Sequence, residues 1–214
     1  IGVDELSSGM VKVPDTQLNV MIIPGIRGVS VAGLNDVVRG EETLLAGWLQ
    51  QPTDCEAVFC LPGTHSKWIV AREGQVNQLT TFMTGELFEL MRTRSILAPL
   101  IDCQAVADSK SDIFCKGLTL AQSPVGLLHQ MFAIRAGALT GQFVKSDVLT
   151  LLSGVLVGAE CLAVKSLVQN RSVTLMSSGD LKQTYQNAFE HFGFVFNIVD
   201  SEQAAHKGLF SIFN

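Results

Sequence analysis

The sequence is short of the residues that build most recognisable sites. It holds one tyrosine, two tryptophans, four histidines and five cysteines among 214 residues. The cysteines stand at 55, 60, 103, 115 and 161. None forms a Cys-x-x-Cys pair, and an odd number does not close a disulfide framework, so buried reduced thiols are expected. The histidines, at 65, 129, 191 and 206, lack metal-ligand spacing, so no metal-binding residues are assigned. Positive charge is sparse. The net charge is −5 and the pI about 5.3, with no basic run and no interleaving of aromatics with Arg or Lys. That removes support for a nucleic-acid partner but not for an anionic ligand, because a site can be locally positive. No membrane-length run is free of polar breaks. The most apolar segment, 148–168, contains Ser153, Glu160, Lys165, Ser166 and two glycines, and reads as a buried helix. No signal-peptide pattern is visible, so a cytoplasmic protein without a membrane partner is expected.

What the chain does have is core-forming material: 47% hydrophobic and 16% charged residues. That composition belongs to one or two globular domains. Residues 1–19 read as a helix end or loop, 19–25 as a short buried strand, and 26–35 as a polar loop carrying Arg27. Leu44, Leu45, Trp48 and Leu49 share one helical face, with Glu41 and Glu42 in the first turn and Pro52 as the stop. Three extended segments follow, 57–61, 66–71 and 75–82, the last two joined at Glu73-Gly74. Thr84 is expected to cap the next helix, with Glu86 in its first turn. Ser123-Pro124 opens a helix whose apolar positions read as Val125, Leu128, Phe132 and Leu139. Ser146-Asp147 caps the helix 148–168, on which Gly154 and Gly158 mark close packing. A strand at 173–176, a loop at 177–180 and a helix with Leu181, Tyr185, Ala188, Phe189 and Phe192 on one side come next. Gly193 ends that helix. Residues 194–199 form a strand, and Ser201 caps a last helix with Ala204, Ala205, Gly208, Leu209, Ile212 and Phe213 on its apolar face.

One stretch concentrates chemistry: Leu61-Pro62-Gly63-Thr64-His65-Ser66-Lys67. It reads as strand, Gly turn and return strand. Exposed backbone N–H groups and hydroxyls at such a turn suit phosphate oxygens, although an ordinary polar hairpin tip has the same composition. Strand alternation places Ser66 and Trp68 on one face, His65 and Lys67 on the other. Gly179, between an apolar strand and a helix, suits close backbone approach to a ligand.

The order of elements resembles one lobe of the actin-like ATPase and sugar-kinase superfamily. The strings IIPGIRG, VVRGEETLLAGWL, LPGTHSKWI, TFMTGELFELMRTRSIL and LLSGVLVGAECLA together resemble the 2-dehydro-3-deoxygalactonokinase family over residues 20–213. The resemblance implies an α/β fold: a ribonuclease H-like, actin/hexokinase-type lobe with a mixed sheet, β-β-β-α-β-α-β-α plus a helical insertion. Residues 1–50 are then the remnant of a first lobe and hinge. Residues 51–214 are the C-terminal nucleotide-binding lobe, with the insertion at about 98–170. The implied activity is Mg2+- and ATP-dependent phosphorylation of 2-dehydro-3-deoxy-D-galactonate at its 6-hydroxyl. Glu41 is the implied base, with Glu42 as competitor. Gly63, Thr64, His65, Lys67, Ser178 and Gly179 are implied on the nucleotide side. The substrate carboxylate implies a cation, Arg39 first and Arg27 second.

The family's opening Asp-x-Gly hairpin has no counterpart here, so the expectation is a truncated kinase that is inactive alone. The implied partners are ATP and a small sugar acid, with a homodimer left open. Two other readings stand beside the kinase: a non-catalytic binding or regulatory protein of the same fold, and a hydrolase using His65 with Ser66 or Thr64. The second is disfavoured because sequence neighbours on a strand point to opposite faces.

Overall fold

The computed structural model describes residues 2–14, 17–49, 56–102 and 104–213. In chain order the elements are α1 (Val3–Ser8), β1 (Val11–Lys12), β2 (Met21–Ile22), β3 (Ile26–Val29), β4 (Asn35–Val38), α2 (Glu42–Leu49), β5 (Ala57–Leu61), β6 (Ser66–Arg72), β7 (Gln75–Phe82) and α3 (Thr84–Arg94). A helical stretch follows: α4 (Asp112–Ala121), α5 (Leu127–Leu139), α6 (Val148–Ala163) and α7 (Lys165–Val168). Then come β8 (Val173–Met176), α8 (Gly179–Phe192), β9 (Phe196–Val199) and α9 (Ser201–Phe213).

The main sheet has five strands in the order β7-β6-β5-β8-β9. β6 pairs antiparallel with β5 and β7, whereas β8 runs parallel to β5 and β9, so the sheet is mixed as expected. Glu73 (φ 53°) and Gly74 (φ 74°) both adopt the left-handed conformation that a two-residue hairpin turn requires. Alternation along the strands divides the core in two. Val58, Cys60, Trp68, Val70 and Leu175 face Phe114, Leu118, Val157, Tyr185 and Phe189. Phe59, Leu61, Ile69, Ala71 and Met176 face Leu6, Ile26, Val38, Leu45 and Ile212. The result is three layers, α/β/α, and burial on both faces explains the unbroken apolar run at 57–61 and the fully buried strand at 173–176. The expected domain boundary near residue 50 falls outside the described residues, as does Pro52.

α6 is the helix that the sequence marked as buried rather than membrane-spanning. It is apolar enough to cross a membrane by composition, but 13 of its 16 residues are buried against protein. Its glycines have the packing role expected. A Cβ on Gly154 would lie 2.9 Å from Gly117 Cα, and one on Gly158 2.7 Å from Ala121 Cβ, so α4 and α6 cross nearly backbone to backbone. α2 and α9 cross in the same way: a Cβ on Gly208 would meet Thr43 O at 1.6 Å.

Several expectations are corrected. Residues 3–8 are a full helix rather than a helix end or loop, and only Met21–Ile22 of the 19–25 run is strand, with Ile22 exposed. The expected loop at 26–35 is instead most of a hairpin, β3–β4, held because both carboxylate oxygens of Asp36 accept from Thr81: Oδ2 from N at 2.7 Å and Oδ1 from Oγ1 at 2.8 Å. Those bonds dock the β3–β4 ribbon on β7 and hold it extended.

Thr84 does not cap α3; its hydroxyl turns inward to Glu160. The α9 cap is Asp200, whose Oδ1 accepts from Glu202 N and Gln203 N, while Ser201 Oγ meets Ser178 Oγ. Asp147 makes no side-chain cap at α6, which ends at Ala163 and is followed by the separate turn α7. Leu181 is 45% exposed, not on the buried side of α8, and Leu209 and Phe213 are exposed on α9.

α5 begins at Leu127, and its face was reversed. Val125, Leu128, Phe132 and Leu139 are exposed, and Ile134 and Gly137 are buried. Apolar residues occur on every side of the helix, with His129, Gln130 and Arg135 among them, so periodicity does not select a face. Gln130, bonded to the Ala121 and Ser123 carbonyls, and Gly137, against the Phe143 ring, set its rotation. Among the cysteines, Cys60 and Cys161 are buried, but Cys115 is exposed; Cys55 and Cys103 lie outside the described residues.

Candidate functional site

The Pro62–His65 turn joins β5 to β6 at one end of the strands, near the middle of the sheet. Two elements brace it. The N-terminus of α3 packs so close that a Cβ on Gly85 would meet Gly63 O at 2.5 Å. Glu86 N donates to Thr64 O at 2.9 Å, and Glu86 Oε2 reaches His65 Nε2 at 2.5 Å. His65 is thus committed to a carboxylate on α3.

Lys67, one residue into β6, points to the opposite face of the sheet from Ser66 and Trp68, as alternation predicts. Its ammonium donates to His65 O at 2.7 Å and to Glu41 Oε1 at 2.8 Å. Lys67 is buried and the Glu41 side chain is 29% exposed. Glu41 immediately precedes α2, so the entry of that helix and the turn meet at one point. Glu41 Oε2 is buried without a hydrogen bond among the described residues. An unpaired buried carboxylate oxygen is costly unless something donates to it.

Glu42 behaves differently. It is 3% exposed, and its Oε2 accepts from Gly40 N at 2.5 Å. Burial is the main influence on its carboxyl and pushes it above the ordinary carboxylate value. Gly40, at φ 107°, makes the tight turn that this contact closes. Glu42 is therefore spent on its own backbone, and Glu41 is the carboxylate presented toward the turn.

Arg27 and Arg39 are both exposed and lie on the outward face of the β3–β4 ribbon, with Arg27 opposite Val37 and Arg39 just beyond Val38. Gly179 has φ 59° and nothing within 4 Å of a Cβ position, so the start of α8 is open. Ser178 is less free, because its hydroxyl meets Ser201 Oγ at 2.9 Å.

Sequence reasoning missed the cavity. A pocket of about 250 Å³ lies between the turn, α3, α6 and α8, lined by Gly63, Thr84, Phe88, Leu156, Asp180 and Tyr185 among others. Gly63 and the start of α8, at Asp180 and Leu181, both line it. No sequence signal marked it, because its walls come from segments over a hundred residues apart. Glu160, beneath it, was also missed. It is 2% exposed and accepts hydrogen bonds from Trp68 Nε1 (2.8 Å), Tyr185 OH (2.8 Å) and Thr84 Oγ1. Its one signal was a carboxylate in the last turn of a mostly apolar helix.

Among the described residues, no group of three His, Cys, Asp or Glu could hold a metal ion.

With this geometry in hand, the comparisons are specific. The model of a family described as 2-keto-3-deoxy-galactonokinase matches residues 1–212. The 2-dehydro-3-deoxygalactonokinase of Escherichia coli (strain K12) is 33% identical over 195 residues, covering 91% of this chain. This chain spans 65% of that relative's length. A Rhizobium meliloti (strain 1021) relative, carrying the same name with the qualifier "probable", is 32% identical over 209 residues, or 96% of this chain and 67% of its own. A crystal structure from Sinorhizobium meliloti, named with a like qualifier for the same activity, superposes with a TM-score of 0.89 at 29% identity over 99% of this chain and 70% of that one. A family match over nearly every residue, two relatives and a solved fold all agree: the chain belongs to the 2-keto-3-deoxy-galactonokinase family.

Proposed function

We propose that this chain forms the nucleotide-binding part of an ATP-dependent kinase that phosphorylates 2-dehydro-3-deoxy-D-galactonate at its 6-hydroxyl. The fold is then an actin-like lobe, with the Pro62–Lys67 turn as a phosphate clamp. The observation that carries the reading is the 2.8 Å contact between Lys67 Nζ and Glu41 Oε1, which joins the turn to a carboxylate with one oxygen unpaired.

Phosphoryl transfer needs the acceptor hydroxyl aligned, its proton taken, and charge on the transferred group balanced. Lys67 fixes one oxygen of Glu41. For the other, buried without a partner among the described residues, to take the proton of a sugar hydroxyl, the part-exposed Glu41 side chain has to turn it outward. Gly63 and Thr64 offer backbone N–H and hydroxyl donors to the phosphates. The open start of α8, at Gly179, offers the N–H groups of a helix N-terminus to the same anion. The apolar cavity between Phe88, Leu156 and Tyr185 accepts the base of the nucleotide. Arg39 and Arg27 present guanidinium groups for the sugar-acid carboxylate. Magnesium would enter on the nucleotide phosphates. A cytoplasmic setting suits a soluble metabolic substrate.

The test is transfer of radiolabelled γ-phosphate from ATP to 2-dehydro-3-deoxygalactonate. It is run on the chain as it stands and on a fusion supplying the part of the relatives that it does not span. Glu41→Gln should lower turnover by about 10²–10⁴, the usual range for a lost base. A fusion that leaves the sugar acid unlabelled refutes the kinase reading. An active fusion with full Glu41→Gln turnover refutes only the base assignment.

A further inference from the structure

Glu160 has no part in the reaction above, yet it is the most heavily bonded buried carboxylate in the described structure. It sits on α6, where its neighbours from Val148 to Gly158 are nearly all apolar. No cation reaches it among the described residues. It is held by neutral donors from three other elements: Trp68 on β6, Thr84 on α3 and Tyr185 on α8. Tyr185 OH lies 2.8 Å from Ser66 Oγ. Since Tyr185 gives its proton to Glu160, Ser66 donates to Tyr185, and the chain of bonds has one direction. An apolar side chain at 160 would avoid burying a charge. It would leave the Trp68 indole N–H and the Thr84 hydroxyl without the acceptor they have here.

The placement of these partners gives the network a use. Thr84 and Tyr185 both line the 250 Å³ cavity, and both bond Glu160 Oε2. Ser66 and Trp68 are the first and third residues of β6, directly after the turn. Lys67, between them, points the other way and holds Glu41. Two adjacent residues of one strand are therefore tied to carboxylates on opposite sides of the sheet. We propose that Glu160 is a positioning residue that sets the phosphate turn at a fixed distance from the cavity wall, so that one ligand spans both. This rests on the nucleotide reading above. Glu160 touches no ligand itself; it acts through Ser66, Trp68, Thr84 and Tyr185.

Adenosine reaches the cavity alone, and ADP reaches the cavity and the turn, so their affinities separate the two roles. Both are titrated by calorimetry into the wild-type chain, Glu160→Gln and Ser66→Ala. Gln keeps the shape but turns an amide donor toward hydroxyls that themselves donate. Ser66→Ala cuts only the link at the turn and guards against Glu160→Gln failing to fold. The wild type should bind ADP more tightly than adenosine. Each folded variant should hold adenosine within about twofold and lose about tenfold of the ADP advantage, the usual size of a coupling between subsites. The Trp68 indole N–H resonance should move on adenosine binding in the wild type. An unchanged ADP-to-adenosine ratio in the folded variants, or equal weakening of both ligands, overturns the positioning role while leaving the nucleotide site intact. A wild-type chain that binds neither ligand overturns the nucleotide reading, and the positioning role with it.

Discussion

Lys67→Met is the substitution that interrogates the site most sharply. Methionine keeps the apolar stem in its buried slot and removes only the ammonium. Two contacts are lost: the 2.7 Å bond to His65 O and the 2.8 Å bond to Glu41 Oε1. A hydrogen bond from a charged donor contributes about 1.5–3 kcal/mol. The ion pair lies between the exposed case, about 0.2–1 kcal/mol, and the buried one, about 3–5 kcal/mol when one partner is removed. Lys67 is buried, but Glu41 is 29% exposed and keeps some solvation, so the lower part of that interval applies. The methionine also sheds the cost of burying a charge. The net loss comes to about 2–4 kcal/mol, or about 4–16 °C in melting temperature for a chain of this size. Thermal and urea unfolding measure it. Glu41→Gln completes a double-mutant cycle, in which the double variant should be more stable than the summed single losses by at least about 1 kcal/mol. A Lys67→Met melt within about 2 °C of wild type, or a cycle additive within about 0.5 kcal/mol, would refute the contact as drawn.

Gly208→Ala should act at a distance. The new Cβ would fall on Thr43 O, a backbone atom that cannot rotate away, so α2 and α9 must separate. The expected loss is about 1–3 kcal/mol by denaturant unfolding. Because α2 carries Glu41 at its entry, phosphoryl transfer should fall by more than the unfolded fraction explains. Glu42 gives a pH signature. Its folded carboxyl lies above the ordinary 4.5, chiefly from burial, so the unfolded chain loses this proton more readily than the folded one. Its contribution to stability is full below that ordinary value and declines as pH rises toward the folded value. Glu42→Gln should therefore flatten the fall in stability above pH 4.5, with the variant gaining on wild type as pH rises, read from urea midpoints across pH 4–7. The opposite trend would mean that the bond from Gly40 N, not burial, dominates.

The five main strands and the faces of β6 were legible because they depend on local pattern. Alternation at Ser66-Lys67-Trp68 placed each side chain on its correct side before any tertiary information. Gly154 and Gly158 announced a close helix crossing for the same reason: small residues one turn apart leave room for a neighbour. Failures came where the determinant was distant. The β3–β4 hairpin exists because Asp36 finds Thr81, and α5 is rotated by Gln130 and Gly137, partners that periodicity does not contain. Thr84 had the right position for a cap, but the buried acceptor Glu160 outcompeted the helix end. At the site, the turn and Glu41 were visible as residue types. Their 2.8 Å meeting through Lys67 was not, because it joins the start of a helix to the opposite face of a strand.

The nucleotide reading requires one space shared by Gly63 of the turn, the start of α8 and the apolar cavity. Amide chemical-shift mapping of the chain during an ATP titration tests that most directly. The account predicts shifts concentrated at Gly63, Thr64, Gly179 and Asp180 and at cavity-wall residues such as Phe88 and Thr184. Saturable binding with shifts confined to other surfaces, or an unmoved turn at saturating ATP, would contradict it.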